Sequence, residues 1–295
     1  MKSRKLADYI TGVKTDEPLA QYSTFKIGGP AKYFVEAKNR EQIGKAVRAS
    51  VELGIPHFIL GGGSNILVSD KGFDGVVIRI RNVGVTIDGV HLVAESGTPL
   101  QQCVQKSMQA GLAGLEHLSG IPGTVGGAVA GNAGTSQKWI SDHLTFVHIV
   151  SMDGTMQKIP KTQCDFSYRY SRFKYSDKEV VVAAEFDLAS APAAEIKQLA
   201  RQFILKRGHQ PAGDACAGCV FKNPSQKSAG LLIEQAGLKG KKIGGAMVSP
   251  DHANFIVNTG AARAEDIVIL ISYIKQQVRD KFGVQLQEEI KYVGF

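Results

Sequence analysis

Long basic runs, long apolar runs and paired cysteine clusters are all missing from this chain. Its 295 residues carry a formal charge of +8, yet the lysines and arginines are spread thinly. There is no zinc-finger spacing and no aromatic strand of the kind that stacks nucleic acid bases, so nucleic acid is not the expected partner. A basic pocket for a phosphorylated small molecule accounts for the charge equally well. No window offers about 18 uninterrupted apolar residues for a membrane span. The opening MKSRKLADYITGVK lacks the apolar core of a secretory signal. Four cysteines, Cys103, Cys164, Cys216 and Cys219, are too few for a disulfide scaffold. These absences predict a cytoplasmic globular protein with no membrane and no metal site.

Glycine, by contrast, is in excess. The 33 glycines make up about 11% of the chain against an average near 7%, without a collagen-like period. Clustered glycine means tight turns, or backbone brought close to a ligand. The first cluster lies in ILGGGSNILV, where Leu60, Gly61, Gly62, Gly63, Ser64 and Asn65 follow an apolar strand. Consecutive backbone N–H groups with two small polar side chains form a cradle for phosphate oxygens, although a bare turn between strands has the same look. The G-x-G-x-x-G fingerprint is absent, and no Gly-Lys-Ser/Thr follows, so neither a Rossmann site nor a P-loop is indicated. The second cluster, SGIPGTVGGAVAGNAG, alternates glycine with aliphatic residues. A solvent loop would be polar, whereas this one suits a flat ring with polar edges. One loop for a pyrophosphate and one for a ring system point to a dinucleotide cofactor.

Periodicity places helices at 41–53, 100–110, 194–206, 229–236 and 263–282, and hairpins at Asp88-Gly89 and Asp153-Gly154. Gly44 weakens the first helix. Residues 112–134 read as a long glycine-rich connection. ASAPAA at 189–194 marks a shift of composition, predicting a boundary near 190. The mixture of hairpins and helices is α+β. The Cys216-x-x-Cys219 pair reads in three ways on residues alone: a redox couple, half a zinc site, or an incidental spacing. Two further zinc ligands are not in evidence, and Pro224 keeps the segment after Cys219 extended.

Several motifs, in order, carry a family resemblance: STFKIGGPA at 23–31, GGGSN at 61–65, GIPGTVGGAV at 120–129, NAG at 132–134 and YRYSRFK at 168–174. AGCVFKNP at 217–224, HANFIVN at 252–258 and EEIKYVG at 288–294 complete the set. In this order and spacing the chain resembles the UDP-N-acetylenolpyruvoylglucosamine reductase family, nearly end to end. The resemblance implies a vanillyl-alcohol-oxidase-type FAD-binding domain over residues 1–190, in subdomains of about 1–80 and 81–190. A substrate-binding α+β domain over 191–295 would follow, with its last strand (about 284–295) contributing to the site. It implies non-covalent FAD, NADPH as electron donor, and UDP-N-acetylglucosamine enolpyruvate as the small-molecule substrate, reduced to UDP-N-acetylmuramate for peptidoglycan.

By the same resemblance, hydride goes from flavin N5 to C3 of the enolpyruvyl group and a proton goes to C2. Cys219 is the implied proton donor, at a position where the family usually has serine. Arg169 is the implied enolate stabiliser, and Glu289 the implied catalytic glutamate. The implied cofactor contacts are Leu60, Gly61, Gly62, Gly63, Ser64, Asn65, Gly120, Ile121, Pro122, Gly123, Val125, Gly126, Gly127, Asn132, Ala133 and Gly134. Lys206, Arg207, Asn223 and Asn254 are the implied substrate contacts. Two departures stand out: NAG is followed by Thr135 where many members have Ala-Tyr, and only 50 residues separate Arg169 from Cys219. The second points to the subclass without an inserted tyrosine loop. The alternatives are another flavin oxidoreductase of the same fold and, less favoured, a basic nucleotide-binding protein.

Overall fold

The computed structural model describes residues 5–176, 178–208, 210–211 and 213–295. The chain divides into two compact units that interleave in sequence. The first comprises the described residues through Thr15, then Tyr33–Gly62 and Gly75–Arg207. The second comprises Asp16–Lys32, Gly63–Asp74 and the described residues of Gly208–Phe295.

In the first unit, helix α1 (Arg40–Glu52) starts where the Asn39 side chain accepts from the Gln42 N–H at 2.8 Å. It buries Ile43, Ala46, Val47 and Ala49 on one face. Gly44 is no flaw in this helix. It is buried, and a Cβ there would meet the Gly154 carbonyl of a hairpin turn at 3.4 Å, an ordinary contact. The strand after α1, His57–Leu60, pairs in parallel with Phe73–Ile80. These two lie in a four-stranded sheet with Lys14–Pro18 and Pro30–Ala37.

A five-stranded antiparallel sheet follows, with strands in the order Met156–Pro160, Leu144–Ser151, Glu179–Asp187, His91–Glu95 and Val85–Asp88. Both expected hairpins are present. The loop of the first is Gly89-Val90, one residue later than the expected turn, because Asp88 still pairs with His91. Helix α2 (Leu100–Gln109) buries Leu100, Cys103 and Val104 against this sheet's core.

Residues 112–134, expected as an open connection, are partly regular. A 3-10 turn covers Glu116–Leu118, and a six-residue helix, α3 (Val125–Ala130), is capped by Thr124 accepting from Gly127 N–H. Glycine suits α3 because a Cβ at Gly126 would lie 2.8 Å from that of Ser96. Helix α4 (Ala193–Lys206) belongs to this first unit, packing against α2 and the 112–118 segment. The compact division therefore falls after Arg207, not near 190. The Ala-Pro-rich stretch is a turn into α4 that the sequence's change of composition marks without marking a change of core.

The second unit has a four-stranded antiparallel sheet ordered Ala215–Cys219, Phe255–Asn258, Ala246–Val248, Lys242–Ile243. Helices α5 (Ala229–Gln235) and α6 (Ala264–Phe282) build its core with Leu232, Ile233, Ile267, Leu270, Ile271 and Ile274. Gly283 ends α6 in the left-handed region at φ 68°. The closing strand Lys291–Val293 runs parallel to Ile66–Val68. STFKIGGPA serves this unit as architecture. A Cβ at Gly29 would lie 2.3 Å from the Asp70 carbonyl, and one at Gly63 only 2.0 Å from the Tyr22 carbonyl. Among the described residues no helix is long and apolar enough to cross a membrane.

Candidate active site

In the first unit the two glycine clusters meet. A Cβ on Gly61 would stand 2.7 Å from Thr124 Oγ1, and one on Gly62 would stand 2.8 Å from Gly123 Cα. Backbone approaches backbone, which only glycine permits. Gly62→Ala should therefore spread the two loops, and the purified protein should retain FAD about tenfold more weakly, read by titrating apoprotein with FAD. Gly63, Ser64 and Asn65 belong to the second unit.

The 115–139 region also holds buried polar atoms with no protein partner: Ser119 Oγ, Asn132 Oδ1, Trp139 Nε1 and both ring nitrogens of His117. Native interiors leave few such groups unbonded, so a polar-edged ligand or bound water belongs among them. The exposed edges of Gly62, Gly120, Pro122 and Gly127 offer backbone to the same kind of ligand. This combination fits FAD. Leu60 is 2% exposed and Val125 is fully buried, so these two of the expected contacts can reach a ligand only through main chain.

His117 was not legible as a site residue. It is fully buried, with an edge-on contact to Phe203 at 6.3 Å between ring centroids. Burial pushes its imidazolium down to about 4, against the opposing pull of Glu116. The unfolded chain takes up this proton below about 6.5 and the folded chain only below about 4. Stability should thus fall as pH drops through that window, by up to about 3 kcal/mol from this group. Denaturation at pH 7 and pH 4.5 should show a smaller difference in His117→Gln.

Arg169 sits at the tip of a two-residue turn closed by reciprocal bonds of 3.1 Å between Ser167 and Tyr170. Its φ is 56°, the left-handed region that costs a non-glycine residue. Three contacts enforce it. Lys174, only 8% exposed, donates to the Arg169 carbonyl at 2.9 Å. The guanidinium donates to the Gly134 carbonyl at 3.1 Å. Asn132, itself at φ 43°, donates to the Ser167 carbonyl at 2.9 Å. NAG and YRYS, well apart in sequence, are thus one structure. Lys174 is the positioning residue that sequence reading missed, because a buried lysine carries no local signal.

Arg207 is placed in the same unit but is committed to backbone. It donates to the carbonyls of Ser119 at 2.7 Å, His117 at 3.0 Å and Phe203 at 3.2 Å, tying α4 to the 117–119 segment. Burial first, and Arg169 second, hold its pKa below the usual arginine value. Two mutually repelling guanidinium groups make this a favourable place for an anion. Lys206 is exposed beside the Phe203 ring.

In the second unit Cys219 ends its strand, and the next residue accepts from the Glu289 N–H, Val220 O at 2.7 Å. Asn65 donates to the Glu289 carbonyl at 3.2 Å and accepts from Lys291 N–H at 3.0 Å. Asn65, Cys219 and Glu289 are thereby neighbours along three adjoining backbone segments. Glu288 is occupied by Lys275 at 2.6 Å, and Glu289 beside it is half-buried.

Asn254 differs from the expectation of a ligand contact. It is 2% exposed, and its amide accepts from Phe221 N–H at 2.9 Å and donates to Phe221 O at 2.8 Å. It fixes the segment after Cys219. Asn254→Ala leaves both groups buried and unpaired, so it should lower unfolding free energy by about 2–4 kcal/mol in denaturant titration. Asn223 accepts from Ala229 N–H at 3.0 Å at the head of α5.

Comparison with known proteins agrees with both halves. Residues 31–160 match the family model for an FAD binding domain, and residues 210–293 match that for the C-terminal domain of UDP-N-acetylenolpyruvoylglucosamine reductase. The reductase of that name from Carboxydothermus hydrogenoformans is 43% identical over the whole of both chains. Reductase 1 from Bacillus anthracis is 42% identical over 96% of this chain and 95% of that one. The crystal structure of the Thermus caldophilus reductase superposes with a TM-score of 0.81 at 36% identity, covering 95% and 98% of the two chains. Cholesterol oxidase from Brevibacterium sterolicum, at 12% identity and TM-score 0.50 over 64% of this chain and 40% of that one, shares the flavoprotein fold alone. The FAD-binding half is thus of the vanillyl-alcohol-oxidase type, and the chain belongs to the UDP-N-acetylenolpyruvoylglucosamine reductase family of FAD-dependent oxidoreductases.

Proposed function

We propose that the chain catalyses NADPH-dependent reduction of UDP-N-acetylglucosamine enolpyruvate to UDP-N-acetylmuramate, in the cytoplasm, for peptidoglycan synthesis. The observation that carries this reading is Arg169, held in a costly left-handed conformation by Lys174 and Asn132. Strain maintained by surrounding contacts is a mark of a working residue. Bound FAD supplies a hydride acceptor and donor that separates oxidation of NADPH from reduction of the enol ether. Gly61, Gly62, the 119–134 loop and the buried polar atoms around it would hold that cofactor.

The chain's residues handle charge and proton. Hydride arriving at C3 leaves negative charge at C2, spread into the attached carboxylate. The Arg169 guanidinium, permanently charged and fork-shaped, binds that carboxylate and stabilises the enolate. Cys219 gives its thiol proton to C2. With a reference pKa near 8.5, a thiol is a far stronger acid than a serine hydroxyl. Glu289, beside Cys219 along the backbone, polarises the enolate or relays the replacement proton. Arg207 and Arg169 together favour the substrate's anionic groups.

The test is turnover. Purified enzyme loaded with FAD should oxidise NADPH only when the enol ether is present, yielding one UDP-N-acetylmuramate per NADPH by mass spectrometry. NADPH oxidation that ignores the enol ether, or consumes O2 instead, would replace this reading with that of another flavin oxidoreductase.

A further inference from the structure

The Cys-x-x-Cys pair has a geometry that its spacing conceals. On a regular strand, residues three apart face opposite ways. Here Cys216 pairs with Val257 and Cys219 with Phe255, so three steps on one strand match two on its partner. The intervening bulge, with Gly218 at φ 75°, takes up the extra residue. Directly opposed residues share a face, and Phe255 and Val257 are two apart on their own strand. Cys216 and Cys219 therefore project from one face of the sheet. Ala217 and Ile256, of the other parity, enter the core under α5 and α6, and Cys216 is partly buried against the same core.

Two strand steps span about 6.6 Å, the upper end of the Cα separations that disulfides bridge, so closure requires the chain to draw in at the Gly218 bulge. Gly218, with no side chain and in the left-handed region, leaves the space between the two cysteines open: a Cβ there would meet nothing within 4 Å. Both cysteines are half-buried, whereas Cys103 and Cys164 are buried in the first unit. Burial pushes the Cys103 and Cys164 thiols up to about 12 and about 11, so they stay protonated and inert. Burial also raises Cys216. A raised thiol suits Cys216 to the resolving role, and Cys219, at the end of its strand, takes the first oxidation.

We infer that Cys216 and Cys219 form an oxidation site, closing to an intramolecular disulfide when the enzyme meets a hydroperoxide. The Cys219 thiolate attacks the peroxide O–O bond, giving sulfenic acid and a hydroxide that takes up the proton the thiol released to become water. Cys216 sulfur then attacks the Cys219 sulfur and expels a second water, so two thiols and one H2O2 become one disulfide and two waters. The two electrons come from the thiols. The consequence for activity rests on the assignment of Cys219 as proton donor, because a disulfide leaves no proton to give. The single bulge residue is what permits closure, and it protects Cys219 from the irreversible sulfinic state.

The experiment treats FAD-loaded wild type, Cys216→Ser and Cys216→Ala with H2O2, then maps tryptic peptides without reduction and assays before and after dithiothreitol. Wild type should show the peptide containing both cysteines lighter by two hydrogens. Its activity should fall at least tenfold and return with dithiothreitol. Both variants should instead gain sulfinic acid at Cys219 and stay inactive. Sulfinic acid at Cys219 in wild type, without the two-hydrogen loss, overturns the inference. A disulfide that leaves turnover untouched upholds the oxidation site and removes Cys219 from the reaction.

Discussion

Cys219→Ala should lower kcat by about 10²- to 10⁴-fold while NADPH still reduces the bound cofactor at near wild-type rate. Proton delivery to C2 belongs only to the second half-reaction, so a side chain that supplies it leaves the first untouched. The variant should fold normally. The strand around Cys219 is held by the Asn254 clamp on Phe221 and by Glu289 N–H on Val220, none of which involves the thiol. Cys219→Ser should recover most of the lost rate, since a hydroxyl can hold the same proton although it is the weaker acid. Equal rates of product formation in wild type and Cys219→Ala would identify the thiol as a bystander. The proton would then have to come by another route, with Glu289 the neighbouring acid along the backbone.

Arg169→Lys should cost about 10²- to 10³-fold in kcat/KM for the enol ether. An ammonium keeps the charge but not the planar fork, and it cannot span the Gly134 carbonyl and a carboxylate together. The NADPH half-reaction again serves as the control. A loss confined to KM would mean that Arg169 binds substrate and transition state equally. A loss shared between kcat and kcat/KM would place its work in the transition state. Folding is not at issue, because lysine meets the same backbone conformation and Lys174 still holds the carbonyl of residue 169.

Much of this molecule was legible because each motif has a local physical cause. The helices at α1, α2, α4, α5 and α6 follow from apolar spacing, and the Asp-Gly pairs mark both hairpins, the first one residue early. Glycine excess signalled tight turns or backbone close to a ligand, and the structure shows in addition Gly62 meeting Gly123 backbone to backbone. What failed to show lies in long-range packing. α3 is a six-residue helix of which Gly126 and Gly127 are two, with propensity too weak to announce it. The unit boundary fell after Arg207, since nothing in α4's own pattern says that Arg207 will tie it to His117 and Ser119. Asn254 looked like a ligand contact from its motif alone, and only its burial and its two bonds to Phe221 show a residue that fixes the segment after Cys219. Lys174 and His117 are buried ionisable groups, which composition counts as surface.

The measurement that bears most directly on the central claim is a single half-reaction. FAD-loaded wild type, reduced by one equivalent of NADPH without oxygen, is mixed with UDP-N-acetylglucosamine enolpyruvate while the flavin absorbance is followed. Rapid return of the oxidised spectrum, with one UDP-N-acetylmuramate formed per cofactor, is the predicted result. A cofactor that stays bleached with the enol ether present, and recovers only on admitting air, would contradict it.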